Sequence, residues 1–143
     1  MRMNQLTGTD DLAQALRAAG LPTEDLGARG QIFWRFADDA GREIGFAGLE
    51  GEGAHRLLRS VAIHAPARGQ GHGRALVEAI AREAAGRGVT DLWLLTLDAS
   101  PFFAKAGFVP APRDQAPAGI AATAEFKSLC PATAVCMRRR LGK

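Results

Sequence analysis

Six residues in the middle of the chain have the composition of a phosphate-binding turn. They are Arg68-Gly69-Gln70-Gly71-His72-Gly73, which follow an apolar, strand-like segment at 57–64 and precede a helical pattern. Glycines adopt positive φ at little cost and leave no Cβ in the way, so several backbone N–H groups can point into one concavity. The helix start adds unpaired N–H groups and the positive end of its dipole, and Arg68 and Arg74 add full charges. The stretch predicts capture of a phosphate group, the alternative being a glycine-rich turn without a ligand.

Two common phosphate motifs do not fit this turn. A P-loop requires Gly-Lys-Ser/Thr where the helix begins, and this chain has Gly73-Arg74-Ala75 there. A dinucleotide-binding fingerprint requires G-x-G-x-x-G, whereas the glycines here alternate with other residues. The pattern that remains is Arg-x-x-Gly-x-Gly on Arg68, Gly71 and Gly73. It resembles the acyl-CoA pyrophosphate loop of the GCN5-related N-acetyltransferase (GNAT) superfamily.

The elements that position these residues can be predicted from hydrophobic periodicity and turn residues. Strands are predicted at 1–6, 31–37, 42–50, 57–64, 91–97, 108–109 and 134–140. Helices are predicted from Thr9, as N-cap, to Gly20, at 23–26 with Thr23 as cap, at 71–87, and from Ser100, as N-cap, to Gly107. Residues 119–129 are predicted to form a loop with a helical turn.

The predicted order of elements, β-α-α-β-β-β-α-β-α-β-β, resembles the GNAT order over essentially the whole chain. The stretch Phe102-Phe103-Ala104-Lys105-Ala106-Gly107-Phe108 resembles the short helix of that superfamily that ends in Gly-Phe. The resemblance implies one domain over 1–143 with an α/β (α+β) fold. It implies a central mixed, mostly antiparallel, twisted sheet of six to seven strands flanked by about four helices.

Composition excludes several other classes of protein. The chain has 143 residues, 47% hydrophobic and 23% charged, with no apolar run near the ~18 residues of a membrane span. The net charge of +3 is small, and there is no tyrosine and no basic stripe, so nucleic-acid binding is not expected. The first eight residues lack the apolar stretch of a signal peptide, so the expected compartment is the cytoplasm. The two cysteines, Cys130 and Cys136, are expected to be reduced thiols, and no metal site is predicted.

Four further segments resemble a narrower group. They are Gly48-Leu49-Glu50, Leu58-Arg59-Ser60-Val61, Leu94-Leu95-Thr96 and the tail at 124–136. Together they are similar to the small acetyltransferases of arsenic-resistance operons and to the acetyltransferase domain of N-acetylglutamate synthases. The resemblance implies acetyl-CoA as cosubstrate, a small amino-acid-like amine as acceptor, and a monomer or homodimer. No physical feature of the sequence predicts an arsenical substrate.

The resemblance also assigns the cofactor contacts. The pantetheine arm of acetyl-CoA is expected to lie along Val61, Ala62 and Ile63 as an additional strand. Phe102 and Phe103 are expected to border its thiol end. The pyrophosphate is expected on the turn itself, on Arg68, Gly69, Gln70, Gly71, His72, Gly73 and Arg74.

Direct transfer requires a neutral amine, and an α-amine with a pKa of about 7.7–8.0 is roughly one-tenth neutral at pH 7. Glu50, at the end of its predicted strand, is the candidate general base, the alternative being a surface glutamate beside a turn. Many superfamily members protonate the departing thiolate with a tyrosine, but the matching position here is Phe103. Ser100, Thr96 or water are the candidate donors instead.

Arg59 is a charged residue in an apolar strand and therefore needs a partner. It is predicted either to clamp a carboxylate of the acceptor or to form a structural salt bridge. Additional candidate acceptor contacts are Ser60, Lys127, Ser128 and Cys130. Two other functions stay open at this stage, acetylation of a protein N-terminus or lysine and a non-catalytic acyl-CoA-binding module.

Overall fold

A seven-stranded sheet forms the centre of the molecule in a computed structural model that describes residues 1–64 and 71–141. The strands lie in the order β1-β2-β3-β4-β5-β7-β6. Their bounds are Arg2–Gln5 (β1), Gln31–Ala37 (β2), Glu43–Glu50 (β3), His55–Ile63 (β4), Asp91–Thr96 (β5), Val109–Pro110 (β6) and Val135–Arg140 (β7).

All neighbouring strands pair antiparallel except β4 and β5, which run parallel. Parallel neighbours need a crossover, and here the crossover carries helix α2. The sheet is therefore mixed and mostly antiparallel, and the predicted fold class is confirmed.

Helices cover both faces of the sheet. They are α1 (Asp10–Ala18), α2 (His72–Gly86), α3 (Ser100–Lys105) and the single turn α4 (Ala118–Ala121), with a 3₁₀ turn at Arg113–Gln115 and a π-helix at Glu125–Leu129. The apolar stripe of α2 and the aromatic residues of α3 pack on one face, in the largest hydrophobic cluster. Leu12 and Leu16 of α1 pack on the other face, against Phe33 and Phe46. Further along that same face, Phe126 packs in a cluster with Trp93 and Leu57. Trp93 and Leu57 are in register on the neighbouring strands β5 and β4, so their side chains share this face.

The predicted second helix at 23–26 is wrong. These residues form turns closed by bonds between residues three apart, from Leu26 N–H to Thr23 O and from Ala28 N–H to Asp25 O. Gly27, with a φ of +91°, then turns the chain away from a helical path. Thr23 does not cap; its own N–H donates to the Glu24 carboxylate.

Candidate active site

Strands β4 and β5 open into a wedge. They pair only where His55, Arg56 and Leu57 face Asp91, Leu92 and Trp93, although β4 continues to Ile63 and β5 to Thr96. His64 donates its N–H to Ile44 O of β3 (2.8 Å). Because backbone groups alternate between the two edges of a strand, we expect the N–H and C=O of Val61 to point the other way, into the wedge. The wedge is thus lined by backbone groups to which an extended molecule with amide groups can add as a strand.

A β-bulge interrupts β4 beside this wedge. Phe46 of β3 faces Ala62, and Gly48 faces Arg59, so the single residue between them on β3 opposes both Ser60 and Val61. Ser60 has a φ of +60°, the only positive φ of a non-glycine residue in the described part of the chain. Such a conformation costs about 1–2 kcal/mol. Bulges change the direction of backbone and side chains next to active sites, and this one lies between the apex and the open end of the wedge.

Helix α2 begins at the open end of the wedge. Gly71 precedes it with a φ of +77°, and among the described residues, its chain neighbours aside, no atom lies within 4 Å of the place where a Cβ would be. A Cβ on Gly73 would lie 3.1 Å from the ring of Phe102, so this glycine lets α3 pack closely on the first turn of α2. Arg74 is exposed on that turn. His72 is the first residue of α2, and the remaining predicted phosphate contacts, Arg68, Gly69 and Gln70, lie outside the described residues.

Arg59 lies at the centre of a buried charge cluster on the face of the sheet opposite α2. Its side chain is fully buried and donates from Nη1 to Asp25 Oδ2 (2.5 Å) and Glu50 Oε1 (2.8 Å), and from Nη2 to Asp25 Oδ1 (2.8 Å). Glu125 Oε2 lies 3.2 Å from Nη2, and Nε donates to Ser60 Oγ (3.0 Å). We call Arg59, Asp25, Glu50 and Glu125 the Arg59 cluster. Of the two kinds of partner predicted for Arg59, the structure shows protein carboxylates.

Glu50 lies beside the apex of the wedge. It faces Leu57, the last residue of β4 that pairs with β5. Its Oε1 accepts from Arg59 and, at 3.5 Å, from Gln31 Nε2, whereas Oε2 has no hydrogen-bond partner among the described residues. The side chain of Glu50 is 9% exposed, so it is not the freely solvated surface glutamate that was the alternative.

The pKa values of Glu125 and Arg59 are shifted by burial and by the charges around them. Burial raises the pKa of Glu125 to about 7, an effect that the guanidinium of Arg59 only partly offsets. Burial would lower the pKa of Arg59, but hydrogen bonds and charge interactions with Asp25, Glu125 and Glu50 raise it above its usual range. Arg59 is therefore always charged, and Glu125 changes its protonation state near neutral pH.

The π-helix that carries Glu125 is held in place by Arg113. The guanidinium of Arg113 donates to the carbonyl oxygens of Phe126 (2.9 Å), Pro131 (2.9 Å) and Cys130 (3.4 Å), and it lies 5.5 Å from the centre of the Phe126 ring. These carbonyls belong to the end of the π-helix and the chain after it, where helical acceptors are unpaired. Arg113 thereby fixes the segment that places Glu125 on Arg59.

The other predicted acceptor contacts differ in position. Ser60 and Cys130 touch the Arg59 cluster, Cys130 through a weak contact of Sγ with Glu125 Oε1 (3.9 Å). Burial raises the pKa of the Cys130 thiol to about 11, so it is not a thiolate at neutral pH. Lys127 and Ser128 are exposed on the π-helix.

The residues predicted at the thiol end lie around α3. Phe103 is buried in the core, and Phe102 packs edge-on against it, 5.0 Å between ring centres. Thr96 Oγ1 accepts the N–H of Ala99 (3.1 Å), so Thr96 closes the turn before α3 while its hydroxyl proton stays available to donate elsewhere. Ser100 is the first residue of the helix rather than its N-cap, which is Ala99.

The sequence that forms this arrangement matches a known protein family. A family model described as an acetyltransferase (GNAT) domain matches residues 29–110, more than half of the chain. The chain belongs to the GNAT acetyltransferase family. The matched region runs from the start of β2 to β6 and includes the wedge, the bulge and the start of α2. A search of curated proteins found no significant match.

Solved structures share the GNAT fold at low sequence identity. Tetrahymena GCN5 matches with a TM-score of 0.78 at 16% identity, over 99% of this chain and 97% of its own. N-acetylglutamate synthase from Neisseria gonorrhoeae, complexed with coenzyme A and N-acetyl-glutamate, matches with a TM-score of 0.75 at 20% identity over all of this chain. An aminoglycoside 6′-N-acetyltransferase complexed with coenzyme A matches with a TM-score of 0.72 at 15% identity, over 100% of this chain and 98% of its own.

This GNAT chain spans about a third of the length of the N-acetylglutamate synthase chains, 36% and 33% of the two that it matches. At identities this low, the likeness shows the fold alone. In the described part of the chain, no helix has the length and apolar character that a membrane crossing requires.

Sequence reasoning missed three residues of this site, Asp25, Glu125 and Arg113. The signal that could have found the first two is Arg59 itself, because a buried guanidinium requires carboxylate partners. Which carboxylates these are depends on contacts 34 and 66 residues away along the chain, and a sequence pattern does not give them.

Proposed function

We propose that this GNAT domain is an acetyl-CoA-dependent N-acetyltransferase that moves an acetyl group directly to the primary amine of a small acceptor. The observation that carries the proposal is the wedge between β4 and β5, which runs from Glu50 at its apex to the start of α2 at its open end. An extended thioester cofactor with amide groups along its arm and a diphosphate at one end suits a strand edge that leads to the start of a helix.

Backbone groups would hold the cofactor. The amides of pantetheine would lie along β4 at Val61, Ala62 and Ile63, while the pyrophosphate would meet the start of α2, where the positive end of the helix dipole favours an anion. Gly71 supports this role because its positive φ turns the backbone at the start of α2 and it has no Cβ to stand in the way of a phosphate. The strained backbone at Ser60 would direct an N–H at the thioester carbonyl oxygen, where negative charge develops.

Transfer requires that the amine lose a proton before it attacks. Oε2 of Glu50 would take that proton, the nitrogen would form a bond to the thioester carbonyl carbon, and the C–S bond would break to release the thiolate of coenzyme A. A thiolate is a tolerable leaving group since a thiol has a pKa near 8.5, so the missing tyrosine is not prohibitive. The nitrogen would release its second proton as the C–S bond breaks, and the hydroxyl of Thr96, Ser100 or water would relay a proton to the sulfur, so that the products are the amide and the thiol of coenzyme A.

Glu50→Gln tests the base. Its turnover should fall by roughly 10²–10⁴, with the acetyl-CoA KM nearly unchanged. The acidic limb of the pH–rate profile should move as well. Near-normal turnover with an unchanged profile would leave Glu50 only its role as a partner of Arg59.

An amino-acid-like acceptor, and a link to arsenic resistance, remain proposals that rest on the resemblance of the tail at 124–136. A turnover screen that detects release of the coenzyme A thiol tests them directly. The screen should include amino acids, their arsenic-containing analogues, amines without a carboxylate, and peptides. Acetylation of peptides alone would replace the small acceptor by a protein.

A further inference from the structure

Protein groups face all three nitrogens of Arg59. A guanidinium has five N–H groups; four of those of Arg59 donate to Ser60, Glu50 and both oxygens of Asp25, and Glu125 Oε2 lies 3.2 Å from Nη2, which carries the fifth. A carboxylate on the acceptor would reach Arg59 only if it displaced Glu125 from Nη2 or Asp25 from its two-point contact. Breaking such a buried pair is strongly unfavourable.

Negative charge is in excess around Arg59. Three carboxylates face one guanidinium, and one negative charge remains uncompensated even when Glu125 is protonated. The other guanidinium near this segment, that of Arg113, donates to main-chain carbonyls of the π-helix and of the chain after it and makes no ion pair with the cluster among the described residues. The cluster therefore attracts a cation and repels a second anion.

One oxygen of the cluster is open to a ligand. Glu50 Oε2 has no partner among the described residues, although its side chain is nine-tenths buried. In the described part of the chain, no fully buried side-chain oxygen lacks a partner, so this oxygen must keep some contact with solvent. It lies beside the apex of the wedge, where the thioester would end.

We infer that the acceptor is a cationic amine that carries no carboxylate next to the reacting nitrogen. This inference rests on the proposed function; it narrows the small acceptor and replaces an α-amino acid by an amine without the neighbouring carboxylate. The ammonium group binds between Glu50 and Glu125, and Glu50 Oε2 takes one proton to leave the neutral amine that attacks. Arg59 holds the carboxylates in place and does not touch the acceptor, so it is a positioning residue.

Matched pairs of acceptors test the inference without any mutation. Each pair consists of an amino acid and its amide, for example alanine and alaninamide, which differ in the charge beside the amine. At saturating acetyl-CoA, kcat/KM per unprotonated amine should be at least about tenfold higher for the amide. Binding of both compounds to the coenzyme A complex, measured by calorimetry, should show the same order.

Two variants sharpen the test. Glu125→Gln removes one carboxylate and should reduce the preference for the amide, whereas Glu83→Gln, which removes an exposed carboxylate paired with Arg87 on α2, should leave it unchanged. If the wild-type protein uses the amino acid as well as the amide, or better, the inference is overturned. The case against it is strongest if Asp25→Asn raises kcat/KM for the amino acid, because an acceptor carboxylate would then be taking the place of Asp25. Absence of binding by the amide to the coenzyme A complex overturns it too. If the wild-type protein does not bind acetyl-CoA at all, the proposed function itself is refuted.

Discussion

The buried carboxyl group of Glu125 should make the stability of this domain depend on pH. The side chain is 6% exposed, and burial raises its pKa from 4.5 to about 7. Below pH 4.5 the group is protonated in the folded and the unfolded chain, so it costs no stability. Between pH 4.5 and about 7 the unfolded chain has released the proton while the folded chain still holds it, so the free energy of unfolding falls with rising pH and levels off above 7.

The size of the effect follows from the two pKa values. One pKa unit corresponds to 1.36 kcal/mol, so the shift from 4.5 to about 7 removes about 3 kcal/mol of stability once the pH is above both values. Most of this loss, about 2–3 kcal/mol, falls between pH 5 and pH 8. Glu125→Gln keeps the shape of the side chain but does not titrate, so it escapes the loss.

Urea denaturation followed by circular dichroism at pH 5 and pH 8 measures the difference. The variant should gain about 2–3 kcal/mol relative to the wild-type protein between the two pH values. Any fixed cost of losing the charge contact with Arg59 cancels in this comparison. Glu52→Gln, in the exposed turn between β3 and β4, is the control and should show no such change. An equal difference between Glu125→Gln and wild type at both pH values would refute the reasoning.

Three further changes test other parts of the structure. Arg59→Lys keeps the charge but leaves buried carboxylate oxygens unpaired, so it should lower the free energy of unfolding by about 1–3 kcal/mol. An unchanged melting temperature would contradict the role of Arg59 as the centre of the cluster. Gly71→Ala and Gly88→Ala both place a Cβ at a φ near +80°, so both should lose about 1 kcal/mol of stability. Only Gly71→Ala should also weaken coenzyme A binding in calorimetry. If both variants bind coenzyme A with equal affinity, the turn at Gly71 is not the anion site. Arg113→Lys should raise the acceptor KM and leave the acetyl-CoA KM unchanged, and parallel changes in both would show a merely structural role.

Local patterns predicted most of the fold. Strand β2 has the predicted bounds, and α1 and α2 are followed by Gly20 and Gly88, whose positive φ ends a helix as expected. These features depend on residues within one or two turns of each other, and the sequence displays them directly. The exposed Leu97, predicted in β5, lies just beyond its end.

Long-range contacts explain what local patterns could not predict. Residues 23–26 have a capping residue and two acids, which favour a helix, but Asp25 pairs with Arg59 and the segment forms turns instead. Glu125 lies in a stretch that resembles a loop, and its π-helix is set by Arg113 and by packing of Phe126 on the sheet. The sequence alone identified Arg59 as a residue in need of a partner and Glu50 as a candidate general base, but not that the two are partners of each other.

Because β4 and β5 pair over a short stretch, the sheet has two parts, and each part contains one tryptophan whose fluorescence can be followed. The chain has no tyrosine and two tryptophans, Trp34 in β2 on one side of the wedge and Trp93 in β5 on the other. Both are buried and each lies under an arginine, 5.4 Å from Arg87 and 5.1 Å from Arg138. Intrinsic fluorescence of single-tryptophan variants therefore follows each part of the sheet separately. It can show whether a ligand that fills the wedge makes the two parts unfold together.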